Sequence, residues 1–176
     1  MQGLPRAPIQ EPTVTLRSMT LEDADVIAAW ATDEEFCRAA EWTLGLSFQE
    51  HRQFQAGLIC SPPSDLVRLG AVHEGRLVGY VALQGTEPQR RELGFLIGPR
   101  TVWGRGLGVA TTRAGLRHGF EELHLDEIWA EALDANRASV RILQRLGLRE
   151  TGPGDPGTYL DQPTRYRQFA TTTKTR

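Results

Sequence analysis

The stretch Gly104-Arg-Gly-Leu-Gly-Val-Ala110 constrains the fold of this chain more than any other. The run before it, Glu92–Ile97 (ELGFLI), reads as a strand ended by Gly98-Pro99. The run after it, residues 106–123, puts Val109, Leu116, Phe120 and Leu123 on one helical face. A glycine-rich turn from strand into helix is a place to hold an anion, because backbone N–H groups and the helix dipole point at it and no Cβ keeps a phosphate away. Two familiar phosphate motifs fail here. A P-loop needs Gly-Lys, and the chain has none. GxGxxG fails from either start, since Gly104–Gly106 leads to Val109 and Gly106–Gly108 leads to Thr111. What remains is Arg-x-x-Gly-x-Ala at Arg105, Gly108 and Ala110.

Around this turn the pattern alternates between strand and helix without a regular βα repeat. Thr13–Arg17 reads as a strand, and Thr20 with Asp23 opens a helix whose stripe is Leu21, Ala24, Ile27, Ala28 and Ala31. A second helix follows Ser47, with Glu50 as its capping partner, and ends before Pro62. Leu66–His73 and Leu77–Leu83 make a hairpin across Glu74-Gly75-Arg76, and Glu127–Leu133 is a further strand. Asn136 caps a helix through Leu146, stopped by Gly147. Leu148–Glu150 and Tyr166–Ala170 supply the last strands, with the GPGDPG segment as a loop between them. The expected fold is mixed α/β, with a largely antiparallel central sheet and helices on both faces. Residues 1–12 read as a flexible arm, 13–170 as one domain, and 171–176 as a tail. Trp30, Trp103 and Trp129 are expected in the core.

Composition narrows the function. The 176 residues carry 20 basic and 22 acidic side chains, a net charge of −2, which gives no electrostatic footprint for nucleic acid or an anionic membrane. Two cysteines and four scattered histidines, without an HExxH pair, make no metal site and no disulfide scaffold. The N-terminus lacks a signal-peptide h-region, and the longest uncharged apolar run, 26–31, is far short of the roughly 20 residues a spanning helix needs. A cytoplasmic location is expected. Oligomeric state is not readable from the sequence, and a homodimer stays open.

Arg105-x-x-Gly108-x-Ala110 resembles the coenzyme A signature of the GCN5-related N-acetyltransferase (GNAT) family. Glu92–Ile97, Pro99 and Trp103-Gly-Arg-Gly are similar to that family's preceding strand and pyrophosphate turn, especially in the branch of ribosomal-protein N-terminal acetyltransferases. Asn136-Arg-Ala-Ser139, followed by Leu143 and Leu146-Gly-Leu148, resembles the second family block. The resemblance implies a splayed strand whose Phe95, Leu96 and Ile97 backbone pairs with pantetheine. It implies a pyrophosphate held by Arg105, Gly106, Leu107, Gly108, Val109 and Ala110, with Asn136 on the pantetheine chain and Arg100 or Arg141 on the remaining phosphate. The implied reaction is acetyl transfer from acetyl-CoA to a primary amine, on a protein N-terminus or a small molecule, by direct attack without a metal.

Catalytic candidates follow from the chemistry. An ammonium group must lose a proton before attack, so a carboxylate or imidazole is needed near the cleft. Glu92 at the start of the splayed strand, and Glu41 and His51 in the helical region, are the candidates. Trp42 lines an amine pocket beside Glu41 or packs the helices together. Ser139 stands where the family branch places a hydroxyl near the coenzyme sulfur, while the family's tyrosine acid slot holds Leu143, which cannot donate. That departure keeps open a non-catalytic acyl-CoA-binding or sensor module; a second rival, a nucleotide-binding regulator using the same glycine turn, is opposed by the failed phosphate motifs.

Overall fold

Helices start where side chains can satisfy the free N–H groups of their first turn. In the computed structural model, which describes residues 11–173, Thr20 donates its N–H to the Asp23 carboxylate at 2.7 Å and opens α1 (Leu21–Trp30). Asp33 accepts from the Glu35 and Phe36 amides and opens α2 (Glu34–Ala39). Ser47 and Glu50 form a reciprocal capping box at the head of α3 (Phe48–Cys60). The sequence reading missed α2, which has only six residues and too few turns to show a period.

Among the described residues the strands form one sheet of order β1-β2-β3-β4-β5-β7-β6. They are β1 (Thr15–Arg17), β2 (Leu66–His73), β3 (Arg76–Gln84), β4 (Arg90–Ile97), β5 (Glu127–Leu133), β6 (Arg149–Tyr159) and β7 (Gln162–Thr172). Every neighbouring pair is antiparallel except β4 with β5. That parallel pair requires a crossover, supplied by α4 (Leu107–Glu121); α5 (Arg137–Arg145) joins β5 to β6.

Helices cover both faces. On one, Leu116 and Phe120 of α4 and Val140 and Leu143 of α5 pack on Val81, Leu83, Leu93, Ile128, Ala130 and Phe169. On the other, Ile27, Trp30, Phe36 and Cys37 pack on Leu77, Tyr80 and Leu96. The mixed, largely antiparallel architecture matches the expectation. Two segments differ from it. GPGDPG is no loop: it lies inside β6, whose register against β7 slips at Glu150/Gly152 and again at Pro153/Pro156. β6 is the sheet's edge strand, where a proline's missing N–H breaks no ladder on the open side. Thr171 and Thr172, assigned to the tail, end β7 opposite Ile128 and Glu127. Residues 1–10 of the arm and 174–176 of the tail lie outside the described residues.

The feature that positions the site is a broken ladder. β4 stays paired with β3 as far as Ile97, opposite Gly79, but its pairing with β5 stops at Glu92, opposite Trp129. β5 continues with β7 to Leu133. The last half of β4 therefore leans toward β3, and Gly79 permits the approach: a Cβ there would lie 2.1 Å from the Leu96 carbonyl oxygen.

Gly79→Ala is expected to lower the unfolding free energy by about 2 kcal/mol or more, since the obstacle is backbone and cannot swing away. Gly57→Ala, in open space inside α3, is expected to gain about 0.5 kcal/mol. Urea denaturation of the two variants checks the contrast.

Candidate active site

Where β4 and β5 part, a cleft of about 460 Å³ opens through the sheet. Leu93–Ile97 form one wall, and Glu131–Leu133 with Asn136, Ser139 and Ile142 form the other. The glycine turn and α5 belong to the α4 face. Phe36, Ala40 and Glu41 of the α2 region, with Tyr159 and Tyr166 of the β6–β7 hairpin, line the cleft from the opposite side. A molecule lying through the split meets backbone amides on one face and carboxylates and phenols on the other.

The turn is built by conformation. Gly104 and Gly106 both adopt left-handed φ, +74° and +83°, a region that side chains disfavour. Gly106 precedes α4, and the Ala110 N–H bonds its carbonyl at 3.1 Å. The N–H groups of Leu107, Gly108 and Val109 therefore have no intrahelical partner and sit at the positive end of a 15-residue helix. Gly108 packs against α5, where an added Cβ would lie 2.6 Å from Ile142 Cδ1. Trp103 is no core residue: 40% exposed, it lines the cleft and donates its indole N–H to the Ile97 and Gly98 carbonyls at 3.1 and 3.2 Å. Trp30 is buried, and Trp129 is half-buried with the Arg90 guanidinium 5.3 Å from its ring centroid.

The residues singled out in the sequence divide into two groups. Phe95, Leu96, Ile97, Gly106, Leu107, Gly108, Val109, Asn136, Ser139, Arg141 and Glu41 all line the cleft. Asn136 caps α5, its Oδ1 accepting the Ser139 N–H at 3.2 Å, which leaves its NH₂ group to donate elsewhere. Arg100, Arg105, Ala110 and Glu92 are not in the lining. Arg100 is paired with Asp33 and Glu35 at the head of α2. Arg105 is exposed, and the Ala110 N–H is already bonded within the helix. His51 is buried and stacked on Trp42 at 5.7 Å, and Trp42 meets Phe36 edge-on, so this pair packs α2 onto α3.

The carboxylate side holds residues the sequence reading missed: Tyr159, Tyr166 and Glu131. Tyr166 donates its hydroxyl to Glu41 across the cleft. Burial, that hydrogen bond and the charges of Glu41, Glu131 and Glu92 together hold its phenol far above the ordinary tyrosine range. Burial raises the Glu92 carboxyl, with Glu131 adding to the effect. Glu131 in turn accepts from Gln168 Nε2 at 3.2 Å. Among the described residues no group of three His, Cys, Asp or Glu side chains is placed to hold a metal ion, and no helix is long and apolar enough to cross a membrane.

The model of the acetyltransferase (GNAT) domain matches residues 13–149. The chain belongs to the GNAT family. As a member it is an acetyltransferase that uses acetyl-CoA. The cleft fits that co-substrate, with an amide-lined turn for phosphate beside a slot walled by unpaired strand. An uncharacterized N-acetyltransferase p20 of Bacillus licheniformis is 25% identical over 144 residues, covering 79% of this chain and 80% of the relative. Spermidine N-acetyltransferase from Vibrio cholerae, solved with CoA and spermine, has the same fold at a TM-score of 0.78 and 17% identity, covering 93% of this chain and 97% of that one. Mycobacterium smegmatis RimJ, solved with CoA-disulfide, aligns at 0.76 and 19% identity over 92% of this chain and 82% of its own.

Glu92 gives a pH test of the site. Its proton affinity is higher folded than unfolded, so its ionisation costs stability above the raised value, and the cost vanishes below the unfolded value near ~4.3. Glu92→Gln is therefore expected to unfold at a higher temperature than the wild type at pH 8, with the gap shrinking toward pH 4. A gap of equal size at both pH values would contradict the assignment.

Proposed function

We propose that this acetyltransferase moves the acetyl group of acetyl-CoA to a primary amine by direct attack in a ternary complex. The observation that carries the reading is the cleft itself, which joins an amide-lined turn on one face of the sheet to carboxylates on the other. Acetyl-CoA supplies an activated thioester: the amine nitrogen bonds to the acetyl carbon as the carbon–sulfur bond breaks, and the sulfur leaves as a thiol.

This chain's residues hold and steer that exchange. The turn amides of Leu107, Gly108 and Val109 receive phosphate oxygens, as helix N-termini do. Backbone N–H groups of Leu93–Ile97, unpaired toward β5, hold the pantetheine arm, and one aimed at the acetyl oxygen stabilises its developing charge, worth on the order of 10²–10³ in rate. The free NH₂ of Asn136 donates to the pantetheine chain, and Ser139 offers a hydroxyl proton to the departing sulfur. Glu92 suits the base: burial brings its proton affinity closer to what removing a proton from ammonium needs. A bound water relays the proton, since Glu92 stands behind the cleft lining.

The acceptor class is a protein N-terminus or a small amine. Carboxylates on the acceptor face suit either, since both arrive as cations. The family relatives support both: one acts on spermidine, and RimJ represents the ribosomal-protein branch the sequence resembles. One observation favours a non-catalytic coenzyme-binding module instead. Leu143, in the family's tyrosine slot, is fully buried in the core and donates nothing.

Thiol release with n-butylamine, spermidine and an alanine-initiated peptide separates the two. Transfer to any of them is expected of the enzyme, with Ser139→Ala lowering kcat at least tenfold while acetyl-CoA affinity is kept. Acetyl-CoA at 100 times its Kd should add ~2.7 kcal/mol, a Tm rise of roughly 5–10 °C. ATP and NADH should add none. Gly108→Leu, driven into Ile142 and the phosphate turn, should lose that rise.

A further inference from the structure

Tyr166 lies on β7, two residues before Gln168 and three before the core residue Phe169, in a segment the sequence offers as plain strand. In the fold it pairs opposite Leu133 at the end of β5, on the far side of the split from β4. Its hydroxyl reaches across to the Glu41 carboxylate, 125 residues away in sequence, and both side chains line the cleft. Glu41 is itself held unusually: its φ is +57°, a left-handed conformation in which a non-glycine residue costs roughly 1–2 kcal/mol. The same two walls are tied a second time, by the ion pair of Arg38 in α2 with Asp161. Asp161 and Leu160 form the left-handed two-residue turn at the tip of the hairpin. The segment after α2 and the β6–β7 hairpin are thus fixed relative to each other across the acceptor side of the cleft.

A tyrosine without this partner would turn its hydroxyl to water, and an exposed glutamate would sample many rotamers. Here the hydroxyl supplies the only proton shared between the two, so one carboxylate oxygen of Glu41 is committed to Tyr166 and the other is left to the cleft. We propose that Tyr166 is a positioning residue for the acceptor amine: it holds the Glu41 carboxylate at a fixed place in the cleft, where the incoming ammonium group binds. The inference rests on the amine-transfer reading above and adds a division of labour to it. Glu41 anchors the cation, Tyr166 aims Glu41, and Glu92 takes the proton. The Tyr166 hydroxyl is spent on Glu41, so its effect falls on acceptor binding rather than on the chemical step.

The test is steady-state kinetics with n-butylamine, spermidine and an alanine-initiated peptide, on the wild type, Tyr166→Phe, Glu41→Gln and the double variant. Tyr166→Phe is expected to raise KM for the amine about tenfold, with kcat falling less than threefold and KM for acetyl-CoA little changed. Glu41→Gln should raise it at least as far, and the double variant should be no worse than Glu41→Gln alone, because the two residues act as one unit. Glu41→Gly guards against misfolding: it relieves the left-handed strain, so it should keep or raise Tm while losing amine affinity as Glu41→Gln does. An unchanged amine KM in Tyr166→Phe overturns the proposal. So does a loss confined to kcat, which would make Tyr166 a participant in the chemistry, and so does additivity in the double variant. If the wild type releases no thiol with any of the three amines, the amine-transfer reading is what fails, and the role of Tyr166 falls with it.

Discussion

A ladder of strand hydrogen bonds that stops part-way sets up everything else in this molecule. Backbone N–H and C=O groups away from water need partners, and a strand inside a sheet normally finds them on both sides. β4 does so only as far as Glu92. From Leu93 to Ile97 it keeps β3 on one side and gives its other side to the cleft. The bend is made from parts visible one at a time. Gly79 lets the Leu96 carbonyl come over its α-carbon, and the Trp103 indole ties the Ile97 and Gly98 carbonyls at the strand's end. A continuous ladder would be the more stable sheet, so the split is a standing cost that a ligand with its own amides and carbonyls can offset.

Because the sheet is open at one place, its two faces communicate there. The α4 face contributes oriented N–H groups and the positive end of a helix dipole, which suit phosphate. The other face contributes Glu41, Glu131 and the half-buried Tyr166, with Glu92 outside the lining. Groups suited to an anion and groups suited to a cation are thereby kept apart by the thickness of a sheet, yet both border the one cleft. The same separation explains the contrasting protonation behaviour. Glu92 sits where burial and a neighbouring carboxylate disfavour its charge. Asp33, half-buried and bonded to Arg100 and to two amides of α2, is held below the usual carboxylate range.

Much of the glycine-turn side of the cleft was legible in the sequence because it depends on local pattern. Glycines at positions that need left-handed φ, a following 3.6-residue period, and an Asn at a helix start are all short-range signals, and the structure brings the turn, β4, Asn136 and Ser139 to one cleft. The carboxylate side was not legible, since it is made by long-range pairing. Tyr166 enters the site because β7 inserts between β5 and β6. Glu131 is one polar residue in an alternating strand until β4 parts from its side. α2 was too short to announce itself, and GPGDPG looked like a turn because the sequence does not say which strand is the edge. Arg100 and Arg105 carried charge in the right neighbourhood, but their side chains settle on acidic partners or solvent.

Amide hydrogen exchange with and without acetyl-CoA tests the central claim most directly, because it reads the unpaired strand itself. The account predicts that saturating acetyl-CoA slows exchange at amides within Leu93–Ile97 and at Leu107, Gly108 and Val109, while β1, β2 and α3 change little. Protection confined to other segments, or none along β4, would contradict it.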